Sequence, residues 1–282
     1  MKLKANFIPT ILFIGFATIM SSCSSVKYLK ENEALLIKNR ISCDNLSINK
    51  EDVATYLRQK PNRKIFGFVP LKLWIYNWVN PEKEEIRDIK REKKLNEINK
   101  KRDAKGKKPK TRRYFTKWLL KNGEAPVVLD TSLVLNSADI IKKYVSSKGY
   151  FNAEVSSKVE YLKRKKAVVK YNITTKDPYV IKSIEYSSSD TNLLSYVYAD
   201  TSNSLIKPNM PCDFDVLDNE RDRVVLSLKQ EGFYYFNKDF ISYRLDTLNG
   251  MNSVKVYALI KKNTYKLTGD DNIYTENHKQ YL

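Results

Sequence analysis

Histidine is almost missing from this sequence of 282 residues, since His278 is the only one. A histidine-based metal site, or a nucleophile paired with a histidine base, therefore cannot be assembled from the rest of the chain. Lys105-Gly106-Lys107 lacks the upstream glycine of a phosphate-binding loop. The sequence predicts no catalytic residues, no metal site, no cofactor and no enzymatic activity.

Cysteine is scarce as well, and apart from Cys23 only Cys43 and Cys212 are present. These two lie in different predicted domains, which need not bring their Cα atoms within the roughly 7 Å that a disulfide requires. We expect two unpaired thiols. A disulfide formed in an oxidising compartment is the alternative.

Long apolar runs are absent except at the start of the chain. Lys2 and Lys4 precede an apolar core from Phe7 to Met20, which is too short for a membrane span of about 20 residues. Ser21–Ser25 then resembles a bacterial lipobox with Cys23 as the lipidated residue, and acyl chains would anchor it to a membrane. We expect a signal peptide at residues 1–22 and a lipid-anchored linker at 23–32. An ordinary secretory signal or an uncleaved anchor is the alternative.

Acidic residues are outnumbered, with 32 against 51 lysines and arginines, so the formal net charge is +19. Six cations lie close together in one segment: Lys105, Lys107, Lys108, Lys110, Arg112 and Arg113. Such a patch suits anionic lipid headgroups or lipopolysaccharide phosphates. A solvated loop that only keeps the chain soluble is the alternative. The export signal argues against nucleic acid as a partner.

A helix followed by a hairpin is predicted in the middle of the chain. Asn136 or Ser137 can cap a helix with one apolar face, and Gly149 lies where the helix needs a residue with positive φ to end. Apolar residues then alternate from Phe151 onward, and Arg164–Lys166 forms a polar turn between two strands.

The same unit occurs again downstream. Asp213 can cap a second helix, and Lys229–Tyr234 repeats the order of helix end, glycine and aromatic residue. Asn249-Gly250 is a strong turn signal between the two strands that follow. An internal repeat of this size indicates an array of small domains. Coincidence is the alternative, because helix–glycine–strand junctions are common.

The first copy contains a long insertion. Its first strand is predicted at Glu33–Ile41 and its first helix from Asn49 or Lys50 to a point before Pro61. The insertion, at about residues 66–135, holds the aromatic stretch Val69–Val79, a charged helix at Glu82–Arg102 and the basic segment. The aromatic stretch suits either a membrane interface or the cover of a neighbouring core.

The order strand, helix, helix, strand, strand resembles the polypeptide-transport-associated (POTRA) repeat of proteins that assemble or translocate outer-membrane proteins. The residues that carry the repeat signature are Gly149, Tyr150, Phe151, Gly232 and Phe233. More narrowly, the lipoprotein start resembles the TamA-like lipoproteins (TamL) of Bacteroidota. So do three internal segments: Ala34–Asn39, Phe66-Gly67-Phe68 before Trp74, and Gly123–Val127.

The resemblance implies an α+β fold of tandem β-α-α-β-β repeats at residues 33–176 and 177–263. Residues 264–282 would be a tail or the truncated start of a further repeat. No transmembrane barrel is expected in this chain, so it would be a fragment of a larger barrel protein or an adapter to one.

The implied function is a lipid-anchored module that faces the periplasm and takes part in outer-membrane protein assembly. Its implied partners are unfolded outer-membrane protein clients, an outer-membrane β-barrel in cis or in trans, and outer-membrane lipid. Clients would add as strands to exposed sheet edges near Asn152–Tyr161 and Tyr235–Arg244. The alternatives are a basic lipoprotein that binds lipopolysaccharide or another polyanion, and a structural spacer.

Overall fold

The computed structural model describes residues 25–248, 251–261, 263–266 and 273–276. The strands are β1 (Leu35–Cys43), β2 (Glu154–Leu162), β3 (Lys166–Thr174), β4 (Val180–Ser188), β5 (Ile241–Thr247), β6 (Ser253–Ile260), β7 (Asn263–Lys266) and β8 (Ile273–Glu276). The helices are α1 (Lys50–Thr55), α2 (Leu71–Asn77), α3 (Pro81–Asp103), α4 (Phe115–Asn122), α5 (Thr131–Ser147), α6 (Thr191–Ala199) and α7 (Phe214–Gln230). The predicted α+β class is confirmed.

Two three-stranded sheets share one topology. Their strand orders are β1-β3-β2 and β4-β6-β5, so the last strand of each set lies in the middle. In the second sheet β4 runs parallel to β6, and β5 runs antiparallel to it. Strands β7 and β8 form a separate antiparallel pair, which the sequence analysis did not predict. Without the insertion helices α2 to α4, both sets follow the order β, α, α, β, β.

The start of α5 corrects the sequence analysis. The predicted N-cap at Asn136 or Ser137 is wrong, because the helix begins at Thr131 and the carboxylate of Asp130 accepts from the amide of Ser132 at 2.8 Å. Ser137 is buried inside the helix instead. Its hydroxyl donates to the carbonyl of Leu133 at 2.6 Å and accepts from the amide of Arg58 at 3.0 Å.

Both predicted strands that follow a glycine start later than expected. After Gly149 the chain makes a turn, closed by a hydrogen bond from the amide of Ala153 to the carbonyl of Tyr150 at 3.0 Å, and β2 begins only at Glu154. After Gly232 a similar turn and a short 3-10 helix at Lys238–Phe240 precede β5. Aromatic side chains near the glycines therefore belong to turns.

The chain divides into two compact units. One comprises Met1–Ile41, Leu57–Ser137 and Ser157–Tyr171, and the other comprises Ser42–Tyr56, Ala138–Ser156 and Asn172–Leu282. This division groups residues that lie near each other in space, so each unit combines separate stretches of the chain. It does not test the repeat boundaries at residues 33–176 and 177–263, which stay a prediction. The second unit has the larger described core. Its fully buried residues include Leu193, Leu228, Phe233, Phe236, Val254 and Val256.

Several sequence predictions lie outside the described residues. These are the signal peptide, the lipidation site at Cys23, the Asn249-Gly250 turn and His278. Among the helices that the structure describes, none combines the length and apolar character needed to cross a membrane.

Candidate functional site

The end of α5 is a left-handed turn at Gly149, where φ is +92°. The amide of Gly149 donates to the carbonyl of Ser146 at 2.9 Å, and the amide of Tyr150 donates to the carbonyl of Val145 at 3.3 Å. This pair of bonds is the Schellman pattern that ends many helices, and it favours glycine because a side chain opposes the positive φ.

The Gly149 turn is fixed to a neighbouring loop within the second unit. Tyr179 joins the two: its amide donates to the carbonyl of Gly149 at 2.8 Å, and its carbonyl accepts from the amide of Cys212 at 2.8 Å. The ammonium of Lys148 pairs with Asp213 at 3.2 Å and with Asp215 at 2.5 Å. A Cβ atom at Gly149 would lie 3.0 Å from the nitrogen of Cys212, so glycine is needed for space as well as for conformation.

Aromatic residues after Gly149 pack on both sides of the turn. Tyr150 is buried, and its hydroxyl accepts from the side-chain amide of Asn45 at 2.9 Å. Phe151 contacts Tyr179 and Phe214, with ring centroids 5.0 Å and 6.0 Å apart. The Gly-Tyr-Phe sequence therefore shapes the helix end and its packing.

The second copy of the turn has the same backbone pattern. Gly232 has a φ of +93°, and the amide of Phe233 donates to the carbonyl of Leu228 at 3.0 Å. The ring of Phe233 is buried against Tyr196, with centroids 5.5 Å apart. Two helices of one chain thus end in the same Schellman geometry, each at a glycine followed by an aromatic residue.

The two edges of each three-stranded sheet differ. On the outer side of β1 the amide of Leu36 donates to the carbonyl of Val127 at 2.9 Å. On the outer side of β4 the amide of Ile181 donates to the carbonyl of Met210 at 2.9 Å. Strands β2 and β5 form the opposite edges. Their outer sides carry no backbone pairing with any part of the chain that the structure describes.

The six cations of the basic segment all lie on the surface. Its backbone is held to α3: Asn99 bonds the amide of Lys110 at 2.7 Å, and the guanidinium of Arg102 donates to the carbonyl of Lys108 at 2.9 Å. None of the six side chains forms an ion pair with a described residue, whereas Lys117 pairs with Asp88 at 3.4 Å. The segment is an anchored loop with unpaired positive charge.

Helices α3 and α4 of the insertion are joined by a buried carboxylate. Glu84 accepts from Arg91 at 2.5 Å and from the hydroxyl of Thr116, and the guanidinium of Arg91 lies 4.4 Å from the ring centroid of Tyr114. Glutamates on a charged surface helix ordinarily contact water. Glu84 is the exception, because Arg91 and Thr116 replace its contacts with water.

The glycine that opens the Gly123–Val127 segment is required by a close contact between two helices. A Cβ atom at this position would lie 2.8 Å from the backbone nitrogen and Cα of Tyr76 in α2, which is closer than any side chain tolerates. The next amide, that of Glu124, donates to the carbonyl of Lys72 at 3.0 Å. The glycine thus lets the end of α4 contact the backbone of α2 directly.

A buried ionic network in the second unit was missed by sequence reasoning. Glu220 is fully buried. Its carboxylate accepts hydrogen bonds from the guanidinium of Arg223 at 2.9 Å, from the amide of Leu205 at 2.8 Å and from the hydroxyl of Tyr186 at 3.0 Å. Arg223 also pairs with Asp200. Burial raises the pKa of Glu220, but the bonds from Arg223 and Leu205 outweigh it and leave that pKa below its usual value. Burial and the Glu220 charge raise the pKa of Tyr186 to about 12.

Cys43 and Cys212 are free thiols, as expected from the sequence. Cys212 is fully buried, and burial together with Asp213 raises the pKa of its thiol to about 11, so it is a poor nucleophile at neutral pH. No cluster of three or more potential metal ligands occurs among the described residues.

Residues 41–176 match the family model of POTRA, described as a surface antigen variable number repeat. This part of the chain is similar to POTRA domains. The matched range contains the Gly149 turn, the basic segment, β2, β3 and the end of β1. POTRA domains are periplasmic, non-catalytic modules of outer-membrane protein assembly and secretion systems. No curated protein matches the chain in sequence.

Solved structures with similarity to the chain include two sets of POTRA domains and a BamA chain that lacks some of them. POTRA domains 3–5 of BamA from Haemophilus influenzae match with 14% identity and a TM-score of 0.31, covering 83% of this chain and 100% of that one. POTRA domains 1–2 of Omp85 from Anabaena match with 9% identity and a TM-score of 0.33, covering 81% and 96%. BamA from Haemophilus ducreyi lacking POTRA domains 1–3 matches with 14% identity and a TM-score of 0.32. The match covers 50% of this chain and 25% of the Haemophilus ducreyi chain.

Proposed function

We propose that this chain is a lipid-anchored POTRA module of the TamL type from Bacteroidota, which faces the periplasm and takes part in outer-membrane protein assembly or translocation. Cys23 carries the lipid. Extended segments of client or partner proteins add as strands to β2 and β5. The observation that supports this most directly is the difference between the two edges of each sheet.

Strand addition suits a module that handles many different clients. An edge strand presents unpaired N–H and C=O groups at a fixed spacing, and an incoming strand pairs with them whatever its side chains are. Segments 127–129 and 209–211 already cover the start of β1 and of β4. Strands β2 and β5 are therefore the edges that accept a partner, and both overlap the segments predicted from the sequence.

Two neighbouring proline variants in β2 test strand addition. The amides of Ser156 and Ser157 point to opposite edges of the strand, so Ser156→Pro and Ser157→Pro each remove a different N–H group. One variant loses a bond to β3 and is less stable in urea. The other keeps the sheet, and we expect its affinity for a labelled peptide copied from an outer-membrane barrel strand to fall about tenfold.

Ser156→Ala and Ser157→Ala are the matched controls, because they retain the N–H groups. We expect both to bind the peptide as the unchanged protein does. If the stable proline variant also binds with unchanged affinity, β2 is not the site of strand addition.

The unpaired cations of the basic segment favour a second candidate function, the binding of lipopolysaccharide or another polyanion. Replacing Lys107, Lys108 and Lys110 with glutamine is expected to weaken binding to lipopolysaccharide and to reduce its dependence on salt. The control is the same replacement at Lys93, Lys94 and Lys101 on the exposed side of α3. Equal losses in the two triple variants would indicate a general effect of net charge and reject a specific patch.

A further inference from the structure

The turn Phe66-Gly67-Phe68 carries two exposed aromatic rings on a constrained backbone. Ile65 and Val69 pair across it, with their two backbone hydrogen bonds at 2.8 Å and 3.1 Å. Phe66 has a φ of +53°, which is unfavourable for a bulky residue, and Gly67 has a φ of +79°. Phe66 is 87% exposed and Phe68 is 73% exposed. The protein holds both rings toward solvent although its own core gains nothing from them.

The segment that carries the turn has charge of one sign, and the nearby carboxylate of Glu124, from another segment, accepts from the amide of Arg63 at 3.3 Å. Residues 53–81 contain no aspartate or glutamate, and their cations are Arg58, Lys60, Arg63, Lys64 and Lys72. Arg63, Lys64 and Lys72 are exposed, and none of the three forms an ion pair with a described residue. Unpaired cations beside exposed aromatic rings match the interface of an anionic membrane, where rings lie at headgroup level and lysine and arginine contact phosphates.

The position of the turn in the first unit also favours a membrane. Phe68 lines a cavity of about 320 Å³ together with Trp74, Lys64, Lys166 and Ser25. Ser25 follows Cys23 by two residues, a distance of at most about 7 Å along an extended chain. A lipid on Cys23 would therefore hold the bilayer surface close to the cavity and the turn.

We propose that the Phe66-Gly67-Phe68 turn inserts its two rings into the interface of an anionic lipid bilayer, while Arg63, Lys64 and Lys72 contact the headgroups. The choice of the bilayer as the occupant rests on the proposed lipidation of Cys23. The turn then acts as a second attachment point, which fixes the orientation of the POTRA domain toward the membrane. One acyl-anchored residue alone would leave that orientation free.

Vesicle binding of a non-acylated protein tests the turn by itself. The mature chain with Cys23→Ser is produced from a precursor with a cleavable secretory signal, so neither acyl chains nor signal peptide remain. Phe66→Ser with Phe68→Ser is expected to lower binding to vesicles of phosphatidylglycerol and phosphatidylcholine about tenfold. The matched control is Leu46→Ser with Leu226→Ser in the second unit, at positions that are 97% and 61% exposed. We expect no change for this pair.

The role of the three cations is tested with a variant that carries Arg63→Gln, Lys64→Gln and Lys72→Gln together. This variant should lose binding to the anionic vesicles and show no change on vesicles of phosphatidylcholine alone. Equal binding by the turn variant and the leucine control overturns the proposal, even if the native protein proves to be acylated at Cys23. If the native protein proves not to be acylated but the turn variant still loses vesicle binding, the result supports membrane insertion of the turn and rejects only the lipid anchor on Cys23.

Discussion

Arg223→Met is expected to lower the free energy of unfolding of the second unit by about 3–5 kcal/mol, because it leaves the buried carboxylate of Glu220 without its charged partner. Methionine keeps much of the apolar volume of the arginine side chain. The loss is therefore assigned to charge and hydrogen bonding. Urea unfolding followed by circular dichroism measures it.

The double variant with Glu220→Gln and Arg223→Met is the control. It removes both charges, and the glutamine oxygen can accept from the amide of Leu205 while its NH2 group donates to the hydroxyl of Tyr186. We expect most of the lost stability to return, because a buried pair is costly to break and much less costly to replace. A double variant as unstable as Arg223→Met would show that the arginine acts through packing.

The pH dependence follows from the pKa of Glu220. In the unchanged protein that pKa lies below its usual value, so the carboxylate stabilises the fold above the pKa of an unfolded chain, and the contribution is lost as the pH falls through the lower folded-state pKa. Arg223→Met removes the charge and the hydrogen bonds that lower the pKa of Glu220. Burial then raises this pKa above its value in the unchanged protein. The stability deficit of Arg223→Met should therefore be largest near neutral pH and shrink as acid protonates Glu220.

Gly149→Ala is expected to lower the free energy of unfolding by about 2–4 kcal/mol. The φ of +92° opposes any L side chain, and the new Cβ atom would lie 3.0–3.3 Å from three backbone atoms of Cys212. Backbone atoms cannot rotate away as a flexible side chain does. The contact between the helix end and the Cys212 loop must therefore open, and thermal unfolding measures the loss.

Gly106→Ala separates the two causes. Gly106 also has a positive φ, +61°, but a Cβ atom there has no neighbour within 4 Å. We expect a loss of about 1 kcal/mol, which reflects backbone conformation alone. Equal effects at Gly149 and Gly106 would contradict the close contact with Cys212.

Local signals in the sequence predicted the two glycine turns and the starts of two helices well. Gly149 and Gly232 are left-handed, Asn49 caps α1 and Asp213 caps α7, because each depends on a few adjacent residues. The start of α5 was missed although Asp130-Thr131-Ser132 is itself a good cap signal. The insertion predicted from the sequence runs to about residue 135 and includes that segment, and the period of the apolar residues alone does not decide between two possible caps.

The long-range contacts could not be predicted. Glu84 and Glu220 both lie on charged helices, where a glutamate is ordinarily exposed, and their burial depends on partners that only the fold brings near. The same holds for the covered edges, since segments 127–129 and 209–211 lie beside β1 and β4 without any sequence signal for pairing. The resemblance to POTRA repeats, and not the strand pattern, implied which strands lie at edges, and the fold decides which edges stay open.

The measurement that tests the central claim most directly is photo-crosslinking in living cells. A photoreactive amino acid is placed at Ser156 in β2 and at Arg244 in β5, with exposed Glu85 on α3 as the control position. The account predicts crosslinks to outer-membrane barrel proteins from both strands and none from position 85. The absence of crosslinks from the strands, or equal crosslinks from all three positions, would contradict strand addition at the open edges.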